Sequence, residues 1–256
     1  MDHASLLADL NSPQLAAVSA PPGPLLVLAG PGSGKTHVIT RRAAWLVATQ
    51  NVAPQQMLCV TFTNRAAQEM QGRLEALLGA PARDIWVYTF HALCTRVLRR
   101  HAAAAGLDPY FVVADEGTQT DVLAQVARGQ DLSLEAYPPQ RVLDFISQHK
   151  RNLSNPAHTD AENADPKLAG LSAAYATALA ERGLLDFDDL IGRAVMLLAR
   201  ERGVRVAMQR ALPHILVDEY QDINRAQFEL LKLLAPQGHD VLAVADEAQS
   251  LSLIHI

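Results

Sequence analysis

Only two cysteines, Cys59 and Cys94, occur in 256 residues, and both fall among apolar neighbours without metal-ligand spacing. A disulfide-stapled scaffold is excluded, and both thiols read as reduced core residues. Charge of one sign is not in excess either. The formal net charge is -5, so no global basic field announces a nucleic-acid partner, although a local basic groove can sit on an acidic molecule. No uninterrupted apolar stretch approaches the ~18–20 residues that span a bilayer. The opening Met1-Asp2-His3-Ala4 lacks the basic segment and apolar run of a secretion signal. There is no internal repeat and no low-complexity tract. What is there is ordinary for a globular protein: 49% hydrophobic and 19% charged residues, a balance that argues against wholesale disorder. A soluble, cytoplasmic protein without a membrane partner is the expectation, with room for one large domain carrying an inserted subdomain.

Five short apolar runs rich in branched residues predict buried parallel strands: Leu25–Ala29, Met57–Phe62, Ile85–Phe90, Ile215–Val217 and Val241–Ala245. Helix-like stretches such as Gly34–Ala48 and Arg65–Leu78 follow several of them. That alternation predicts βαβ units and an α/β fold, a parallel sheet covered by helices. Between about residues 105 and 185 the pattern changes. Amphipathic stretches, Gln119–Ala127 and Arg141–His149, are broken by Pro138-Pro139 and Asn155-Pro156, which reads as a helical insertion leaving and rejoining the sheet domain.

The first strand runs into Ala29-Gly30-Pro31-Gly32-Ser33-Gly34-Lys35-Thr36. Glycines let backbone N–H groups point inward around phosphate oxygens, and the helix that begins at Gly34-Lys35 adds partial positive charge. Lys35 can reach the β- and γ-phosphates of ATP, and the Thr36 hydroxyl can ligate Mg²⁺. The strict pattern opens with glycine where Ala29 stands, a small residue in a slot whose task is tight turning. His214-Ile215-Leu216-Val217-Asp218-Glu219 supplies the matching half: an apolar strand ending in two acids. Asp218 can hold Mg²⁺ opposite Thr36, and Glu219 can take a proton from the water that attacks the γ-phosphate. Alone, the acid pair would equally suit an exposed turn; with the loop, it makes an ATPase.

What the ATP drives is carried by further motifs. Leu10-Asn11-Ser12-Pro13-Gln14 resembles the Q motif of UvrD/Rep-type superfamily 1 DNA helicases. Thr61-Phe62-Thr63-Asn64-Arg65-Ala66-Ala67-Gln68-Glu69-Met70 and Thr89-Phe90-His91 resemble motifs Ia and Ib. Asp186-Phe187-Asp188-Asp189-Leu190 is similar to the family's return from its inserted subdomain. Val217-Asp218-Glu219-Tyr220-Gln221-Asp222-Ile223-Asn224 resembles motif II, and Asp246, Gln249 and Ser250 match part of motif III. The motifs keep the family's order from about residue 10 to 250.

The resemblance implies a RecA-like P-loop NTPase domain built from residues 1–104 and 186–250, with a mainly helical subdomain at 105–185 between them. It implies that Gln14 recognises adenine, that Gln221 and Gln249 couple the γ-phosphate to DNA-facing elements, and that Gln249 belongs to the catalytic set with Glu219 and Lys35. The partners it implies are single-stranded DNA and duplex junctions, with ATP and Mg²⁺ driving 3′-to-5′ translocation and unwinding in repair or replication. Thr61, Phe62, Thr63, Asn64, Thr89 and His91 are then DNA contacts, because a motor needs polar groups for phosphates and an aromatic face for bases. Read without the family, Phe62 suits sheet core, His91 a satisfied buried histidine and Gln249 a surface amide.

Two other readings share these motifs: a helicase–nuclease subunit of the RecB type, and a nucleotide-dependent DNA-binding module that does not unwind. Glu219 argues against the module, since a switch needs no well-placed base. Departures are few. His37 stands where the family often has an arginine against the base, and Ala245 where it often has glycine. Residues 251–256, Leu251-Ser252-Leu253-Ile254-His255-Ile256, resemble nothing in the family. They suggest a truncated or shifted reading frame, with the family's second RecA-like domain and its arginines absent and turnover by this chain alone poor.

Overall fold

A computed structural model describes residues 6–130, 132–133, 135–154, 165–237 and 239–246. By packing, the chain divides into two compact units. The first comprises residues 1–93, 203–223 and 231–256, and the second 94–202 and 224–230.

The first unit is built on five parallel strands: β1 Leu25–Leu28, β2 Met57–Thr61, β3 Trp86–Thr89, β6 His214–Val217 and β7 Asp240–Ala245. Their spatial order is β1-β7-β6-β2-β3. Each expected strand is present. β2, with five successive buried residues, is the interior strand expected where both faces are covered. Register aligns Leu28 with Ala245, Ala243 with Val217, Val217 with Val60, and Thr61 with Thr89. The carboxyl ends of all five strands therefore share one edge, where open parallel sheets bind ligands.

Helix α1, Ser12–Ser19, starts with a reciprocal cap: Asn11 Oδ1 accepts from Gln14 N, and Gln14 Oε1 from Asn11 N, both at 3.0 Å. Helix α2, Lys35–Thr49, buries Val38, Ile39, Ala43 and Leu46. Helix α3, Asn64–Leu78, presents Met70, Leu74 and Leu78 at four-residue spacing, so one stripe meets the core. Thr63 Oγ1 caps it by accepting from Ala66 N, and Gly79, at φ 69°, ends it. Arg42 is 2% exposed on α2. It donates to the carbonyls of Val18, Ala20 and Pro21 and to Asp240 Oδ1, tying the segment before β1 to the start of β7.

Helices α4 (Phe90–Arg100) and α5 (Ala102–Ala105) come next in the chain. The second unit has its own core, in which α6 (Glu116–Gly129), α7 (Pro139–Arg151) and α8 (Pro166–Glu181) pack Leu123, Ile146, Leu171 and Tyr175 together. The stretches expected to be helical lie inside α6 and α7. The structure adds a two-residue parallel pairing, β4 Val112–Val113 with β5 Leu184–Leu185, too short for a periodicity to reveal. Helix α9, Phe187–Arg200, follows β5 and is capped by Asp186 and Asp189. Lys150 Nζ reaches Asp186 Oδ2 at 2.6 Å and Asp189 Oδ1 at 2.7 Å. Among the described residues no helix is long and apolar enough to cross a membrane.

Candidate nucleotide site

β1 continues into the phosphate loop through Ala29, whose N–H donates to the Ala245 carbonyl at 3.0 Å. Ala29 thus serves as the last rung of the sheet, and its φ lies outside the left-handed region that would call for glycine. The loop itself needs glycine at two points. Gly32 has φ 73° and Gly34 φ 87°, the left-handed region where a side chain is strained. Ser33 N–H and Oγ both bond the Gly30 carbonyl, so the turn is locally braced. Gln14 Nε2 donates to the Ser33 carbonyl at 2.9 Å and lies 2.9 Å from where a Cβ on Gly34 would stand.

Lys35 and Thr36 open α2, where the first N–H groups have no partner within the helix and the dipole favours an anion. Thr36 Oγ1 donates to Asp218 Oδ2 at 3.2 Å. Asp218 sits just beyond β6 and extends its ladder, its N–H donating to the Val60 carbonyl. It is 4% exposed, and burial, with the Glu219 charge beside it, raises its carboxyl above the ordinary 3.8. An oxygen pair of this kind suits a hard cation completed by water and phosphate oxygens. No group of three or more His, Cys, Asp or Glu that could hold a metal occurs among the described residues. The Thr36 hydroxyl and Asp218 carboxylate would fit Mg²⁺ bound together with phosphate oxygens.

Glu219 takes φ 50° and ψ 46°, left-handed for a residue with a side chain. Strain of about 1–3 kcal/mol at such a position is characteristic of sites whose surroundings force it. Its carboxylate accepts from Gln221 Nε2 at 2.7 Å and lies 3.5 Å from Lys35 Nζ. Gln221 is buried and faces two ways, since its Oε1 also accepts from Asp246 N at 2.8 Å. Asp246, 1% exposed at the end of β7, holds Lys35 Nζ at 2.8 Å. Burial alone would lower the Lys35 pKa, but the Asp246 hydrogen bond and the Glu219 and Asp246 charges outweigh it, and the value rises above 10.5.

Gly34, Lys35, Thr36, Glu219 and Asp246 line one open cleft of about 660 Å³ with Pro31, Gly32, His37, Arg73 and Asp222, and Asp218 and Gln221 hold Thr36 and Glu219 from behind. His37 is half-buried and lines the cleft; burial and then the Arg41 charge hold its pKa below the usual 6.5, which favours the uncharged ring. Of the residues expected here, Gly34, Lys35, Thr36, His37, Asp218 and Glu219 come together, with Gln14 braced against the loop. Gln249 lies outside the described residues, as do Ser250 and residues 251–256. Sequence reasoning missed Arg73. It stands on the polar side of α3, where one arginine looks like any solvated one. Asp246 was matched to a motif, but its contact with Lys35 had no sequence signal.

Further along the same edge, past β2 and β3, the expected DNA contacts divide. Thr63 and Asn64 are exposed, and Phe62 and His91 half-exposed. The Phe62 ring meets the buried Phe90 edge-on, 5.8 Å between centroids. Thr61 and Thr89 are buried with engaged hydroxyls: Thr61 donates to the Thr63 carbonyl, and Thr89 accepts from Ala92 N. Their visible work is to shape the two strand ends.

A family model described as the UvrD/REP helicase N-terminal domain matches residues 10–251. ATP-dependent DNA helicase PcrA of Bacillus subtilis (strain 168) is 40% identical over 249 residues, covering 96% of this chain and 34% of its own length. PcrA of Staphylococcus aureus (strain Mu50) and PcrA of Staphylococcus epidermidis (strain RP62A) are each 38% identical over 250 residues, with the same coverage. The chain thus spans about a third of the length of the curated relatives it matches.

Proposed function

This chain belongs to the UvrD/REP helicase N-terminal domain family, and from that premise we propose that it is the ATP-binding motor portion of a DNA helicase. The carrying observation is the convergence of Lys35, Thr36, Asp218, Glu219, Gln221 and Asp246 at the carboxyl edge of one parallel sheet. In this reading residues 105–185 are the inserted helical subdomain and 186–250 the return to the motor domain. The parent acts in the cytoplasm on single-stranded DNA and duplex junctions, translocates 3′-to-5′, and serves repair or replication.

The loop from Ala29 to Lys35 receives the β- and γ-phosphates, with backbone N–H groups and the Lys35 ammonium opposing their charge. Gln14 and the neutral His37 ring form the base end of the site. Mg²⁺ held by Thr36 Oγ1 and Asp218 would neutralise charge on the phosphate oxygens. Glu219 orients the attacking water and accepts its proton, while Gln221 fixes the Glu219 carboxylate through its amide. Arg73, on α3, lines the cleft and adds a cation to it. Gln249 completes the catalytic set from beyond the described residues. Single-stranded DNA lies along the neighbouring strand ends, with Thr63 and Asn64 on phosphates and Phe62 and His91 on bases.

The test is a titration with a fluorescent ATP analogue and Mg²⁺, followed by phosphate release with and without oligo(dT). Wild type should bind, Lys35→Ala should lose binding, and Glu219→Gln should bind but not hydrolyse. Equal nucleotide affinity in wild type and Lys35→Ala would show the site to be misassigned.

A further inference from the structure

The cation at the centre of the cleft is already taken. Lys35 Nζ lies 2.8 Å from Asp246 Oδ2 and 3.5 Å from Glu219 Oε2. The two carboxylates differ. The Asp246 side chain is 2% exposed, against 41% for Glu219, so Asp246 has little water to replace a lost partner. Its backbone is pinned as well, because Gln221 Oε1 accepts from Asp246 N at 2.8 Å while the same side chain holds Glu219 Oε2 at 2.7 Å. One amide therefore joins the end of β7 to the residue proposed as the general base.

We propose that Asp246 is an internal counter-ion which holds Lys35 before nucleotide arrives and competes with the triphosphate for it. The proposal rests on the nucleotide reading above. Lys35 can neutralise phosphate oxygens only by turning from Asp246. That carboxylate is then left buried beside added negative charge, a costly arrangement unless it moves. Two consequences follow. Resting affinity is set below what the loop alone would give, and the energy of phosphate binding is delivered to Asp246. Gln221 conveys any shift of Asp246 to Glu219, so the site senses whether Lys35 is on the protein or on the nucleotide. Asp246 is thus a positioning residue that acts through Lys35.

The test compares Mg²⁺ with N-methylanthraniloyl-ATP binding to wild type, Asp246→Asn, Asp246→Glu and Glu219→Gln, with thermal melts for each. Asparagine keeps the size and removes the charge, so Asp246→Asn should bind about tenfold more tightly, the scale expected for a close charge pair. Asp246→Glu keeps the charge and should show no gain. Glu219→Gln, removing the more distant and exposed carboxylate, should gain less than Asp246→Asn. Tightening is a readout that structural damage does not produce, because a damaged cleft binds more weakly. Unchanged or weaker binding by Asp246→Asn would overturn the proposal, as would an equal gain from Glu219→Gln, which reassigns the effect to bulk charge. If wild type binds no nucleotide, or binds it independently of Lys35, the function reading fails instead; Lys35-dependent binding without the Asp246→Asn gain fails this proposal alone.

Discussion

Gln14 Nε2 donates to the Ser33 carbonyl at 2.9 Å and fills the space a Cβ on Gly34 would need. One side chain from α1 therefore braces the phosphate loop and limits what residue 34 can be. Two separate penalties meet at that glycine: a φ of 87°, which costs an L-residue about 1–2 kcal/mol, and a contact at 2.9 Å.

Gly34→Ala should abolish measurable nucleotide binding, because the φ of 87° strains the loop and the Gln14 amide, the far end of a flexible side chain, can clear the Cβ only by giving up its bond to Ser33. Gln14→Ala alone should weaken binding by about a factor of ten, the scale of one lost hydrogen bond, with a small drop in melting temperature from the broken cap on α1. Placing Gln14→Ala in the Gly34→Ala background removes the clash but not the torsional strain, so it should restore stability only in part. Full restoration would show that φ at position 34 is unimportant, and no restoration that the clash is.

Asp240 makes the first unit sensitive to acid. Burial pushes its carboxyl up, but the His214 hydrogen bond, the Gly23 N–H and the Arg42 guanidinium together carry it below the ordinary 3.8. A carboxyl whose folded value is depressed contributes stability that is present above 3.8 and lost as pH falls through the folded value. Asp218 and Asp189 are shifted upward and act in the opposite sense. Urea midpoints at pH 7 and pH 3 for wild type and Asp240→Asn separate the contributions. The variant should be less stable at pH 7 and lose less on acidification. Parallel pH profiles would refute the assignment.

In the second unit, Lys150 is the cation between Asp186 and Asp189, themselves hydrogen-bonded to each other's backbone at the start of α9. Lys150→Met keeps the aliphatic stem and strands two poorly solvated carboxylates. Removing one partner of a fully buried pair costs about 3–5 kcal/mol; with Lys150 20% and Asp189 21% exposed, the loss should be about 1–3 kcal/mol. Denaturant unfolding followed by circular dichroism should show that loss at neutral pH, and hydrogen exchange should localise it to α7 and α9. A change below about 1 kcal/mol would mean that the acids are adequately solvated without the lysine.

Much of this was legible in the chain. Leu25–Leu28 and Ile215–Val217 are apolar, branched and too short for helices, so they announce strands, and the glycine-rich loop and the acid pair that follow them suit a phosphate site only when read together. Spacing pointed to Lys35, Thr36, Asp218 and Glu219 because the chemistry proposed for them is tied to strand ends, and the fold brings the four together. Asp246 and Arg73 were not legible as site residues in the same way. Their places arise from strand order, which puts β7 between β1 and β6, and from the packing that brings Arg73 on α3 to the cleft, and neither is written in local periodicity. Thr61 and Thr89 differ from their exposed neighbours: both are expected DNA contacts at strand ends, and both are buried with hydroxyls bonded to neighbouring backbone.

Phe62 is where the DNA reading is most exposed to test. Its ring is half-exposed at the end of β2 and touches Phe90 edge-on, and Phe90, 1% exposed, is the member of the pair that belongs to the core. Truncating Phe62 therefore removes one edge-to-face contact, about 0.5–1.5 kcal/mol, and leaves the packed ring in place. A base stacked on Phe62 would contribute about 1–3 kcal/mol, so Phe62→Ala should weaken oligo(dT) binding about tenfold while thermal unfolding shifts little. Phe62→Trp offers a larger face in the same half-exposed place and should bind at least as well as wild type. Asn64→Ala should weaken binding less and reduce its salt dependence by about one phosphate contact. Fluorescence anisotropy with a labelled oligo(dT) at two salt concentrations reads all three variants. Unchanged affinity in Phe62→Ala, or weakening matched by an equal loss of fold, would return Phe62 to a packing role and remove the stacking face from the proposed DNA path.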